Sequence, residues 1–95
     1  MGAMDRKAAE ITALKALAYL AGEAGAMARF LTISGLEPQE LRARAGEPEM
    51  LAAVVDFLLA DEPVLLGFCE AESESPASLH AARRALPGGR DGETG

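Results

Sequence analysis

The chain has 95 residues, 15 of them acidic and 9 basic, for a net charge of −6 with histidine neutral. That is enough chain for one small domain, and its sign argues against a protein that neutralises nucleic-acid phosphates or docks on anionic lipid. Hydrophobic residues make up 49% and charged residues 25%, the balance of a packed domain rather than a disordered chain.

The core is still expected to be modest, because 20 residues are alanine and the aromatics stop at Tyr19, Phe30, Phe57 and Phe68. Partner binding or self-association is therefore expected to add to stability. One cysteine, Cys69, forms no internal disulfide, which fits the cytoplasm.

Residues 1–4, Met1-Gly2-Ala3-Met4, read as an expression remnant outside the fold. They lack the basic-then-apolar order of a signal peptide, and Arg6 stands where a myristoylation signal needs Ser or Thr. From there the pattern is helical, with domain boundaries expected at 5–86. The first helix is predicted over 6–21, with Ile11, Leu14, Ala18 and Ala21 forming an apolar row at spacings of three and four. Gly22 and Gly25 precede a second helix over 24–34, which Ser34-Gly35 ends.

A third helix is predicted over 38–45, with Pro38 in its first turn and Leu36 and Leu41 at the two places of a hydrophobic staple. Glu40 suits its positive start. The fourth, over 48–60, contains the densest apolar run, Met50 to Ala60, interrupted only by Asp56; it falls short of the roughly 20 residues that span a bilayer. Its core row is Leu51, Val54, Val55 and Leu58.

The fifth helix, over 62–72, carries Val64, Leu65, Leu66, Phe68 and Cys69. With Leu58 and Leu59 this is more apolar surface than one neighbour covers, so a groove or a dimer face is expected there. The sixth, over 76–86, has Ser75 as cap, but Glu74 occupies the staple position, so a looser start is predicted. The tail 87–95 is glycine-rich and expected to be mobile. Acid concentrates in residues 61–82, where Asp61, Glu62, Glu70, Glu72 and Glu74 meet no Lys or Arg; a basic partner would meet that stretch.

Residues 13–45 laid over 51–83 without a gap pair Leu20 with Leu58, Phe30 with Phe68, Pro38 with Pro76, Leu41 with Leu79 and Ala43 with Ala81. Tyr19/Phe57, Leu17/Val55 and Met27/Leu65 are conservative pairs. The fold class that follows is all-α: a compact right-handed stack of six short helices in two three-helix, armadillo- or HEAT-like repeats, about 13–50 and 51–86.

Three stretches carry a family resemblance: Gly35-Leu36-Glu37-Pro38, Leu41-Arg42-Ala43-Arg44, and Leu51 to Asp61 as LAAVVDFLLAD. With Phe30-Leu31 before them and Ala85-Leu86-Pro87-Gly88 after them, the chain from about residue 10 to 88 resembles a small alphaproteobacterial family, domain of unknown function 3572. The resemblance implies a bundle of armadillo-like helices, brings no activity with it, and suggests a setting in bacterial signalling with a cell-cycle receiver protein as partner. The chain departs from the family pattern at Glu72-Ser73-Glu74-Ser75, where an apolar residue is expected before the Ser-Pro step.

Candidate chemistry is sparse. Cys69 and His80 are the one thiol and the one imidazole, but their repeat equivalents are Leu31 and Arg42, so Cys69 reads as a small buried hydrophobe and His80 as a solvated residue. Glu70, Glu72 and Glu74 alternate, so only Glu70 and Glu74 share a helix face, too few ligands for a metal, and no metal site is expected. No phosphate-binding glycine pattern occurs, and no cofactor is expected.

Arg29, Arg42 and Arg44 suit a partner's phosphate or carboxylate, but they more readily pair with Glu37, Glu40 and Glu47. Arg83 and Arg84 suit the carbonyl end of the last helix. The function expected is a non-enzymatic adaptor for an unidentified protein partner. Tyr19, Phe57, Leu65 and Phe68 would line its contact surface, with Arg42 and Arg44 at the rim. The alternative is a structural homodimer buried through the fifth helix, and an enzyme using Cys69 and His80 ranks third.

Overall fold

Local chemistry sets where each helix starts. Asp5 accepts a hydrogen bond from the Ala8 N–H at 2.8 Å, Asp61 from Val64 at 3.4 Å and Ser75 from Ser78 at 3.2 Å, each satisfying a donor that the first turn leaves free. Prolines open three helices at Pro38, Pro48 and Pro76, where the missing N–H costs nothing. The computed structural model describes residues 4–88. Its elements are α1 (Arg6–Ala21), α2 (Ala24–Ser34), α3 (Pro38–Arg44), α4 (Pro48–Ala60), α5 (Glu62–Glu72) and α6 (Pro76–Ala85).

The all-α reading with six helices therefore holds, and only the ends of α3 and α6 fall one residue short of expectation. Residues 1–3 and 89–95 lie outside the described residues. Met4 packs against the core, and the Pro87 carbonyl accepts a bond from Arg83 at 2.9 Å. No helix among the described residues is long and apolar enough to cross a membrane.

The largest enclosed side chains are Phe30, Phe68, Leu20, Leu51, Leu58 and Leu79, with Val54 and Val55 beside them. Helix α4 supplies the most core, burying seven of its residues. Helix α1 buries a different face from the one expected. Its inner residues are Ala9, Thr12, Ala13, Ala16 and Leu20, while Ile11 and Leu14 stand 50% and 45% exposed and Ala18 and Ala21 are exposed too. The cause is close approach: α1 packs most extensively on α6 and α4, and a face of alanines lets two neighbours come near where leucine would hold them off.

Local geometry recurs 38 positions along the chain. Glu23 and Asp61, which precede α2 and α5, share φ/ψ values of −121/90° and −125/91°. Both helices run for 11 residues, and both end on a left-handed residue, Gly35 at φ 74° and Ser73 at φ 55°.

Aromatic contacts between the halves are reciprocal. Tyr19 meets Phe68 edge-on at 5.9 Å and 71°, and Phe57 meets Phe30 edge-on at 5.5 Å and 68°. Exchanging the halves turns one pair into the other.

One layer breaks this reciprocity. Helix α6 packs on α1, α4 and α5, whereas α3 touches its neighbours only lightly. Along α6, Leu79, Ala82 and Leu86 are buried. The corresponding residues of the first half are Leu41, Arg44 and Pro48, of which only Leu41 is buried. A guanidinium cannot take the enclosed place of a methyl group without losing its hydration, so α3 is held at one anchor and stands off.

Candidate functional site: a groove between α1, α2 and α3

Where α3 stands off, a hollow of about 330 Å³ opens. Leu17 and Ala21 of α1 form one wall, Met27 and Leu31 of α2 the floor, and Pro38, Leu41, Arg42 and Ala45 the side given by α3. Leu17, Met27 and Leu31 are half-buried. In the other half, where α6 packs on α4 and α5, the corresponding Val55, Leu65 and Cys69 are buried.

The start of α3 is firmly set. Glu40 accepts the Glu37 N–H at 2.9 Å, Leu41 is buried, and Leu36 is half-buried against the same core. Helix α6 starts by polar means instead of the looser start expected. Glu74 accepts a bond from the Ser78 hydroxyl at 3.0 Å and pairs with Lys15 of α1 at 3.5 Å, so the carboxylate ties α6 to its neighbour where a staple would have been apolar.

Charge around the groove is uneven. Arg44 donates from Nε to Glu47 at 2.8 Å, and that hydrogen bond, then the charge of Glu47, pushes its pKa up. Arg29 pairs with Asp61 at 3.1 Å, not with the glutamates expected for it. Arg83 pairs with Asp56 at 2.6 Å, a structural role as anticipated. Arg42 lines the groove, is exposed, and makes no ion pair among the described residues.

The residues proposed from sequence for the contact surface separate. Phe57, Leu65 and Phe68 are 6%, 8% and 0% exposed and belong to the core, because large apolar side chains gain most from enclosure. Tyr19 is half-buried, its ring on Phe68 and its hydroxyl over Gly67, where a side chain would collide with it. Arg44 is engaged by Glu47 and does not line the groove. Of the six, Arg42 alone lies at the hollow. Sequence reasoning missed Leu17, Ala21, Met27 and Leu31. The pairing of Arg44 with Ala82 in the repeat was the available signal, since it marks where the two halves cannot pack alike.

The α5 surplus is mostly spent inside, leaving Leu66 exposed at 50%. Cys69 is buried, and burial, then the charge of Glu74, pushes its thiol pKa up; His80 is exposed. No group of three or more His, Cys, Asp or Glu residues is placed to hold a metal among the described residues. A second hollow of about 340 Å³ lies between α2 and α4, beside Ile33, Phe57 and Asp56; its carboxylate is already taken by Arg83.

A family model described as protein of unknown function, DUF3572, matches residues 6–89. No curated protein matches the chain, and no solved structure does.

Proposed function

We propose that this chain, which belongs to the DUF3572 family, is a non-enzymatic adaptor that binds another protein in the groove between α1, α2 and α3. The observation that carries the reading is an apolar hollow left uncovered beside an arginine that makes no ion pair among the described residues, in a half whose counterpart is closed. Concave apolar surfaces with a few polar groups at the edge are the usual form of a docking site. A catalytic role for Cys69 is disfavoured, since a buried thiol with a raised pKa is a poor nucleophile and the only histidine is exposed. A homodimer through α5 is disfavoured because that helix turns its apolar residues inward. The lone Cys69 fits a reducing cytoplasm, and the setting in bacterial signalling rests on the family resemblance.

Affinity capture from the native cell tests the reading with wild type, Ala21→Glu and Arg42→Glu. Both substituted residues line the groove and are exposed, so the fold should survive, as circular dichroism would check. The bound partner should be lost with either variant. A partner retained at wild-type level by both would refute the groove as the docking site.

A further inference from the structure

We infer that the groove takes a single amphipathic helix of another protein, about three turns long, which sets a carboxylate against Arg42; this rests on the groove being the docking site proposed above. Three observations carry it. The first is the outer row of α1. Ile11, Leu14, Ala18 and Ala21 repeat at three, four and three, all are exposed, and Ala21 is also part of the groove wall. Such spacing is the seam along which one helix keeps contact with another laid beside it, and the small Ala18 and Ala21 allow the closest approach at the groove end. From Ile11 to Ala21 the seam runs about 15 Å, which sets the length of the occupant.

The second observation is the molecule's own answer in its other half. There the residues corresponding to Leu17, Met27 and Leu31 are buried in the presence of a helix, α6, whose inner residues Leu79 and Ala82 are followed just past its end by the buried Leu86. An occupant with apolar residues at i, i+3 and i+7 supplies what α3 lacks. The third is charge. Arg42 is the one charged side chain lining the groove, and it makes no ion pair among the described residues while Arg29, Arg44 and Arg83 are engaged. A carboxylate satisfies it by a charge-assisted bond. A second copy fits less well: beyond the same α1 row its large exposed apolar residues are the isolated Ile33 and Leu66.

Two synthetic helical peptides of about four turns test the inference. They share one Leu-Ala-Leu face and carry either Glu or Lys on the flanks, and each is titrated into the full chain while amide chemical shifts are followed. The Glu peptide should move Leu17, Ala21, Leu31 and Arg42 and bind about tenfold more tightly than the Lys peptide, the scale of one charge-assisted bond. Arg42→Glu should invert that preference. Equal binding of both peptides in the groove overturns the carboxylate and leaves the docking site standing. If neither peptide moves those amides while cellular capture still depends on Ala21, a helix is the wrong occupant. Should the same amides move with protein concentration alone, and sedimentation show a dimer, the occupant is a second copy and the inference fails.

Discussion

Ala82→Arg and Arg44→Ala form an opposed pair of substitutions that isolates why one half is closed and the other open. Ala82 is wholly enclosed on the inner face of α6, between Leu79 and Leu86 in sequence. An arginine there either buries a guanidinium with no partner, at a cost of several kcal/mol, or forces α6 away from α1 and α4. In the second case the burial of Leu79 and Leu86 is lost, about 1.5–3 kcal/mol for each side chain, or about 3–6 kcal/mol together.

A domain of this size is stable by roughly 5–14 kcal/mol, so either route removes a large share. At a urea dependence of about 1.5 kcal/mol per molar, the unfolding midpoint should fall by about 2 M or more. Arg44 is exposed and so is its partner Glu47, so Arg44→Ala should leave the midpoint where it is. Far-UV circular dichroism in urea reads both, with the fluorescence of Tyr19, the one tyrosine in a chain without tryptophan, as an independent probe at the α1–α5 contact. An Ala82→Arg midpoint within about 0.5 M of wild type, or an Arg44→Ala shift of the same size as that of Ala82→Arg, would refute the account of why α3 stands off.

Gly67→Ala should destabilise by about 1–3 kcal/mol through overpacking, because its new methyl group would meet the Tyr19 hydroxyl. Adding Tyr19→Phe should recover most of that loss and leave the helix-propensity gain of Ala over Gly, up to about 1 kcal/mol, in view; simple additivity in thermal unfolding would contradict the contact. Cys69 should react slowly with a disulfide reagent in the folded chain and rapidly in denaturant. Its raised pKa means that the unfolded chain gives up the thiol proton first, near the ordinary value of about 8.5. The native state then holds more protons, so stability should fall as pH rises above that value. Cys69→Ala should show a smaller alkaline loss, and an equal loss would exclude the thiol as its source. Glu74→Gln should cost under about 1 kcal/mol at low ionic strength, and the difference should vanish at about 1 M salt. A loss that persists in salt would assign the role of Glu74 to Ser78 and not to Lys15.

What the sequence made legible follows the range of the forces involved. Helix limits were readable because Pro38, Pro48, Pro76, Gly35, Asp61 and Ser75 act within a turn of their own position. The inner face of α1 was not. Ile11 and Leu14 form the more hydrophobic row, but α4 and α6 select the row of alanines that lets them approach, and that choice depends on partners that begin only at Pro48. Phe57, Leu65 and Phe68 were read as contact residues for the same reason. An aromatic or branched side chain looks alike in a core and in an interface until the opposing surface is known.

Chain connectivity acts with Arg44 to leave the groove open. The third anchor, Leu86, lies just past the end of α6, where no further helix has to open among the described residues. The corresponding residue in the first half is Pro48, and it must open α4. The turn between them is short, held by the Glu47 N–H bonded to the Arg44 carbonyl at 2.9 Å, so α3 closes after 7 residues where α6 has 10. One position cannot be both the inward anchor of α3 and the first turn of α4. Two units of like design, joined head to end in one chain, must therefore differ at this layer, and the unit that hands the chain on is the one left with a groove to fill.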